Sequence, residues 1–222
     1  MSVARNITIV GGGLAGLTLG IGLRQRGIPA TIFEAGHYPR HRVCGEFISG
    51  NGPAVLERLG LLPLLERAGA IRVHSATFIS GANHSPVRKL SAPALGLSRY
   101  LLDSLLANEF QRLGGELHSG TRYNFSCPQA RVPTISPGAG TTSPSPPRSG
   151  GEGRGEVVFR VHGENPLDIR EGIVRSTGRH AQPTENGWRW FGLKAHARNV
   201  NLSADLEMHI SSDNYVGVNR IN

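Results

Sequence analysis

The stretch Ile7-Thr8-Ile9-Val10-Gly11-Gly12-Gly13-Leu14-Ala15-Gly16 constrains this chain more than any other. Short β-branched and apolar residues run straight into a glycine cluster. An apolar helical pattern follows through Leu17, Leu19, Ile21 and Leu23 to Arg24-Gln25-Arg26-Gly27, and a second short strand, Ala30 to Phe33, ends in Glu34. Strand, glycine turn, helix, strand and acid in this order open a dinucleotide-binding βαβ unit. Gly11 suits the tight turn out of the strand. Gly13 leaves room for a pyrophosphate to approach the backbone, and Gly16 lets the helix pack closely. Leu14 and Ala15 then offer free N–H groups at the positive end of the helix. Glu34 suits ribose hydroxyls and repels a 2′-phosphate, which favours FAD or NAD over NADP. The uncharged run from Asn6 to Leu23 is not read as an export signal or membrane span, because it contains six glycines and no small-residue cleavage site follows.

Composition narrows the partners. The net charge of +8 comes from 22 Arg and 2 Lys, scattered singly without a basic run or interleaved aromatics. That pattern argues against a nucleic-acid surface. No other stretch is long and apolar enough for a transmembrane helix, so a soluble protein is expected. Cys44 and Cys127 stand far apart in unrelated contexts, which fits a reducing cytoplasm, and the nine His show no metal-ligand spacing. No metal is expected, and no catalytic residue is assigned.

After Glu34-Ala35-Gly36, the sequence Pro39-Arg40-His41-Arg42-Val43-Cys44-Gly45-Glu46-Phe47-Ile48-Ser49 resembles the FAD-dependent oxidoreductases that include geranylgeranyl reductases and flavin-dependent halogenases. These are grouped with the aromatic-ring hydroxylases, the group A flavoprotein monooxygenases. The resemblance implies that Arg40 and Arg42 contact FAD and that the Cys44-Gly45-Glu46 turn lies near the flavin ring. Ser98-Arg99-Tyr100-Leu101-Leu102-Asp103 resembles the superfamily's Arg-x-x-x-Asp helix, which implies that Arg99 reaches the cofactor. Thr177-Gly178-Arg179 occupies the place of its second motif, with Thr177 replacing the usual acid and Gly178 matching. The implied cofactor is FAD, with NADH or NADPH as transient reductant. The implied substrate is a small molecule, lipid-like or aromatic.

The expected fold class is α/β, a Rossmann-like βαβ domain with part of an antiparallel β substrate domain. The FAD domain would comprise residues 1–70 and 97–180, and the second sheet residues 71–96 and 186–222. Helices are expected from Asn51, as a cap, through Leu59, over Leu61 to Ala68, and from Ser98 to Leu113. Strands are expected at Ile71–Ser80, Val87–Leu90, Glu116–His118, Thr121–Phe125, Glu156–His162, Ile169–Ser176, Trp188–Ala197, Asp205–Ile210 and Asn214–Arg220. Family members run on to a Gly-Asp motif and a long closing helix. The reading is therefore a truncated FAD-binding oxidoreductase lacking turnover alone, with a second chain as one source of the remainder. A non-catalytic fragment and an NAD-linked dehydrogenase are the alternatives; the Arg40 to Glu46 loop speaks against the latter.

From Cys127 to Gly155, Pro, Gly, Ser and Thr supply 19 of 29 residues, too little apolar surface to order a loop. Deleting Pro128 to Gly155 and closing with a short turn should leave the melting temperature unchanged or raised, because loop-closure entropy grows slowly with length. A marked fall in a thermal melt would show that the segment packs.

Overall fold

The structure is a computed structural model, and it describes residues 6–124, 172–178 and 191–221. The β-branched run forms β1 (Ile7–Val10) and the glycine cluster feeds α1 (Leu14–Arg24). The chain returns through β2 (Ala30–Glu34), parallel to β1 with Ile9 beside Ile32. β3 (Phe47–Ile48), α2 (Gly52–Arg58) and α3 (Leu62–Arg67) follow. Next come β4 (Ile71–Ser80), β5 (Asn83–His84), β6 (Arg88–Gly96) and α4 (Arg99–Arg112). β7 (Glu116–Ser119), β8 (Gly172–Arg175), β9 (Leu206–Ile210) and β10 (Tyr215–Asn219) complete the described elements.

The first sheet has the order β7-β2-β1-β8, and every pairing in it is parallel. Parallel strands need their faces covered, which explains the apolar β1 and β2. α4 supplies much of that cover. Its Leu102, Leu106 and Phe110 recur every four residues, and all three are fully buried. They join Ile9, Leu17, Ile21 and Ile32 in one core. α1 approaches closely because Gly20 has no side chain: a Cβ there would stand 2.8 Å from the Phe110 ring and 2.9 Å from Ile32. Ser98 begins α4 as its N-cap, its hydroxyl accepting from the Leu101 N–H at 3.3 Å. β8 completes the sheet beside β1 although Arg175 looks awkward for a parallel strand. Only Val174 of β8 is buried, and Arg175 is exposed.

The second sheet has the order β10-β9-β4-β6-β3, with β5 added to β4. It differs from the antiparallel sheet expected. β4 pairs antiparallel with β6, yet parallel with β9, so the sheet is mixed. The strand expected at Val87–Leu90 is the start of the longer β6. Residues 121–124 form no strand; the chain leaves β7 after the Thr121 N–H has donated to the Glu34 carbonyl. Residues 191–197 form no strand either, for they run beside the 43–46 loop and are held there by side chains. Asn51 stands before α2 without capping it through its side chain, because its backbone is already helical. The Pro/Gly/Ser stretch, Glu156–His162, Arg179, Trp188, Trp190 and Cys127 lie outside the described residues.

The packing of Phe110 generates a stability test. Phe110→Ala would leave a void among α1, α4 and β2, and should cost about 3–5 kcal/mol in chemical denaturation. A loss below about 1 kcal/mol would show that these layers are not packed on that ring.

Candidate cofactor-binding site

The site begins where β1 ends. Gly11 has φ +111°, a backbone conformation that favours glycine. A Cβ there would also stand 2.3 Å from the Ser176 carbonyl oxygen, so the loop after β8 closes directly on the turn. Ser176 fastens the contact. Its N–H donates to the Val10 carbonyl at 2.8 Å, and its hydroxyl donates to the Gly11 carbonyl at 2.7 Å. Gly16 is forced as well: a Cβ would sit 1.9 Å from the Gly11 oxygen. Gly13 is different, because nothing lies within 4 Å of where its Cβ would be. Gly13 is also the N-cap of α1, with no side-chain cap and no acid in the first turn. Leu14, Ala15 and Gly16 therefore begin a helix whose positive end faces open space beside Gly13.

Glu34 ends β2 under this turn, only 6% exposed. Its Oε2 accepts from the Gly12 N–H at 2.8 Å, and its Oε1 accepts from the Gly36 N–H at 2.9 Å. The Arg40 guanidinium donates to Oε1, and that of Arg42 reaches Oε2 at 3.4 Å. Each carboxylate oxygen thus has two donors, so a ribose hydroxyl would have to replace an arginine. Tyr38 clamps the same loop by donating its hydroxyl to the Gly12 carbonyl. Burial raises the Tyr38 pKa, and the Glu34 and Asp103 carboxylates add to the rise. The phenol therefore remains a donor.

Arg42 links the two arms of the site. Its Nε lies 3.3 Å from Asp103 Oδ2, and Asp103 is fully buried on α4. Arg99 meets the same carboxylate through two bonds, 2.7 Å from Nε and 2.8 Å from Nη2. Arg99 also extends the network to the next turn. Its backbone N–H donates to Glu46 Oε1, and its guanidinium interacts with the Cys44 thiol. The Glu46 N–H donates to Cys44 Sγ at 3.4 Å. Cys44 is thus held in the turn, half-buried, while Gly45 is exposed. Gly178, with φ +80°, follows Ser176 and Thr177 past the Gly11 turn. Most of the expected residues are therefore gathered on one edge of the parallel sheet.

Glu46, Lys194 and His196 complete this edge; the sequence singled out Glu46 only within the turn expected near the flavin ring and gave Lys194 and His196 no role. Glu46 is 4% exposed and has φ +54°. Lys194 Nζ donates to its Oε1 at 2.7 Å, and His196 Nε2 lies 2.7 Å from its Oε2. The Glu46 motif position was visible, but its partners lie 148 and 150 residues away in an irregular segment. Ser176 was also missed, although its place at the end of an expected strand was a usable signal. Among the described residues no group of His, Cys, Asp and Glu is disposed to hold a metal ion. Among them also, no helix is long and apolar enough to cross a membrane.

The glycine turn, the uncapped helix start and the acid at the end of β2 define a Rossmann-like dinucleotide-binding unit joined to a mixed sheet. Residues 9–47 match the NAD(P)-binding Rossmann-like domain family. A 3-amino-4-hydroxybenzoate 2-monooxygenase of Streptomyces platensis is 32% identical over 94 residues, 42% of this chain and 24% of that protein. A second enzyme of that description from the same organism is 39% identical over 69 residues, 31% of this chain and 17% of its own length. The matched part thus spans about a quarter or less of these relatives. A solved structure of 2-methyl-3-hydroxypyridine-5-carboxylic acid oxygenase aligns at 25% identity and a TM-score of 0.48, covering 54% of this chain and 32% of that one. The similarity is thus to a Rossmann-like dinucleotide-binding domain over residues 9–47 and to part of two aromatic-acid monooxygenases.

Glu46 yields a pH test. Burial raises its pKa, but hydrogen bonds from Lys194, the Arg99 N–H and His196 outweigh that and hold it below the ordinary value of 4.5. The unfolded chain therefore takes up this proton first as pH falls. The stability Glu46 contributes is present above about pH 4.5 and is lost as pH drops through the folded value. The stability gap between the parent and Glu46→Gln, measured by urea denaturation, should shrink below that pH. A constant gap from pH 7 to 3 would contradict the assignment.

Proposed function

We propose that this chain holds the ADP half of FAD for an oxidoreductase of the aromatic-acid monooxygenase type. The observation that carries the reading is the open space at Gly13, where a Cβ would meet nothing within 4 Å. Arg40 Nε, on the guanidinium that meets Glu34, is buried without a hydrogen-bond partner, and Arg42 Nε has only its 3.3 Å ion pair with Asp103. Buried donors without acceptors are costly, and phosphate oxygens would satisfy them. The residues present therefore fit the cofactor.

In this reading the N–H groups of Leu14, Ala15 and Gly16 bind the pyrophosphate with the helix dipole behind them. Glu34 accepts from ribose hydroxyls once Arg40 or Arg42 turns from the carboxylate to the phosphates. Ser176 and Tyr38 hold the turn rigid meanwhile. Arg99 and Asp103 keep the Cys44-Gly45-Glu46 turn in place for the flavin end. FAD, when bound, supplies hydride acceptance from a nicotinamide and, once reduced, reaction with oxygen. Two relatives named for an aminohydroxybenzoate support a small aromatic substrate. The 40–46 loop, which ties Glu34 to Asp103, supports a flavin over an NAD-linked dehydrogenase.

Gly13→Leu separates binding from folding. The added side chain enters open space, so the melting temperature should stay within about 2 °C, a small shift for a fold of this size. Binding of FAD and of ADP-ribose, measured by calorimetry, should fall at least about tenfold, because that space is the pyrophosphate's. Unchanged affinity would remove the glycine turn from the site. NADP binding as tightly as ADP-ribose would overturn the role given to Glu34.

A further inference from the structure

We propose that Arg40 is a removable plug on the ribose position of Glu34, and that it makes the site select nucleotides that carry phosphate over nucleosides that do not. This rests on the FAD reading above and names the residue that governs entry to that site. Glu34 holds four donors, the N–H groups of Gly12 and Gly36 and the guanidinium groups of Arg40 and Arg42. One of them has to leave before a ribose hydroxyl can enter. The surroundings of each donor decide which one goes.

Two of the four are fixed in the backbone. Gly12 belongs to the turn that Tyr38 clamps. Gly36 is held from its other side, because its carbonyl accepts from the Gly120 N–H at 3.0 Å and from the Ser119 hydroxyl at 3.1 Å. Arg42 is held too. Its Nη2 stands 3.4 Å from Glu34 Oε2, a long contact, while its Nε lies 3.3 Å from the fully buried Asp103. Arg40 has no second anchor: among the described residues its ion pair is to Glu34, and its Nε is buried without an acceptor. A buried N–H without a partner is a cost of the present position. Moving to a phosphate would exchange one anion for another and offer oxygens to more than one N–H of the guanidinium. A nucleoside brings no such oxygens, so it would have to displace Arg40 without compensation. That asymmetry is the source of the selectivity.

Gly36 is what lets Arg40 lie there. A Cβ at Gly36 would stand 1.5 Å from Arg40 Nη1 and 2.5 Å from its Cζ. Those atoms are the far end of a flexible side chain, whereas the backbone of Gly36 is pinned through both its N–H and its carbonyl. An added methyl group would therefore move the arginine and not the loop. Gly36 is not among the glycines with positive φ, so alanine meets no backbone strain at this position. Gly36→Ala thus unseats the plug and leaves the guanidinium on the chain to meet a phosphate. Arg40→Met removes the plug and the phosphate partner together. The two variants separate blocking of the ribose from attraction of the phosphate.

The test measures adenosine and ADP-ribose binding to the full chain by calorimetry, with the parent, Gly36→Ala and Arg40→Met. Apparent affinity scales with the fraction of molecules in which Glu34 is open, so both variants should bind adenosine at least about threefold tighter than the parent. ADP-ribose should also tighten in Gly36→Ala. In Arg40→Met it should not, and the preference for ADP-ribose over adenosine should fall at least about tenfold, since a charged partner of the phosphates is gone. Either variant alone carries the adenosine arm if the other does not fold. Parental adenosine affinity in a folded variant, or ADP-ribose binding that tightens in Arg40→Met as much as in Gly36→Ala, would overturn the proposal. If the parent binds ADP-ribose in that case, the FAD reading stands without the plug. If neither the parent nor the variants bind either compound, the reading and the proposal fall together.

Discussion

The buried carboxylate of Asp103 is the interaction on which the site depends. It has no exposure to water, and Arg99 grips it through two bonds while Arg42 Nε lies 3.3 Å from its Oδ2. Removing one member of such a group leaves an uncompensated charge and typically costs about 3–5 kcal/mol. The geometry matters as much as the energy. Arg99 and Asp103 sit one turn apart on α4, on the same broad face that carries Leu102, Leu106 and Phe110 into the core. Arg42 comes from the loop after β2. A single carboxylate therefore ties the 40–46 loop to the helix that packs on the sheet.

From that point the charges alternate in both directions. Toward the glycine turn they pass through Arg42 to Glu34, which also receives the Gly12 N–H. In the other direction the backbone N–H of Arg99 donates to Glu46, which pairs with Lys194 and His196. Buried polar groups in such a chain are all satisfied or all costly, since the low dielectric strengthens good contacts and penalises missing ones. The exception is Arg40 Nε, on the guanidinium that meets Glu34.

Much of this fold could be read from local pattern. Ile7 to Glu34 carries strand, turn, helix and strand signals in an unbroken order, and each has one structural solution. The apolar period of α4 and the alternation in Ile71 to Ser80 are equally local. Other features depend on partners distant in the chain. Residues 191–197 look strand-like because of their aromatic neighbours, yet side-chain bonds to Glu46 hold them in an irregular path. Arg175 argued against a central strand, but β8 buries only Val174. The parallel pairing of β4 with β9 has no local signature at all.

By itself, the sequence determined the elements whose causes lie within a few residues: the glycine turn, the period of each helix, and the acid at the end of β2. Resemblance to a known family, and not spacing alone, pointed to Arg40, Arg42 and Arg99. The tertiary structure alone decided what those charges do. Glu34 is already bonded to two arginines, Ser176 locks Gly11 across 165 residues, and Glu46 finds Lys194 and His196 from far along the chain. The physical reason is range. Backbone conformation answers to neighbours in the chain, whereas a buried charge answers to whatever oppositely charged group the fold brings within about 4 Å.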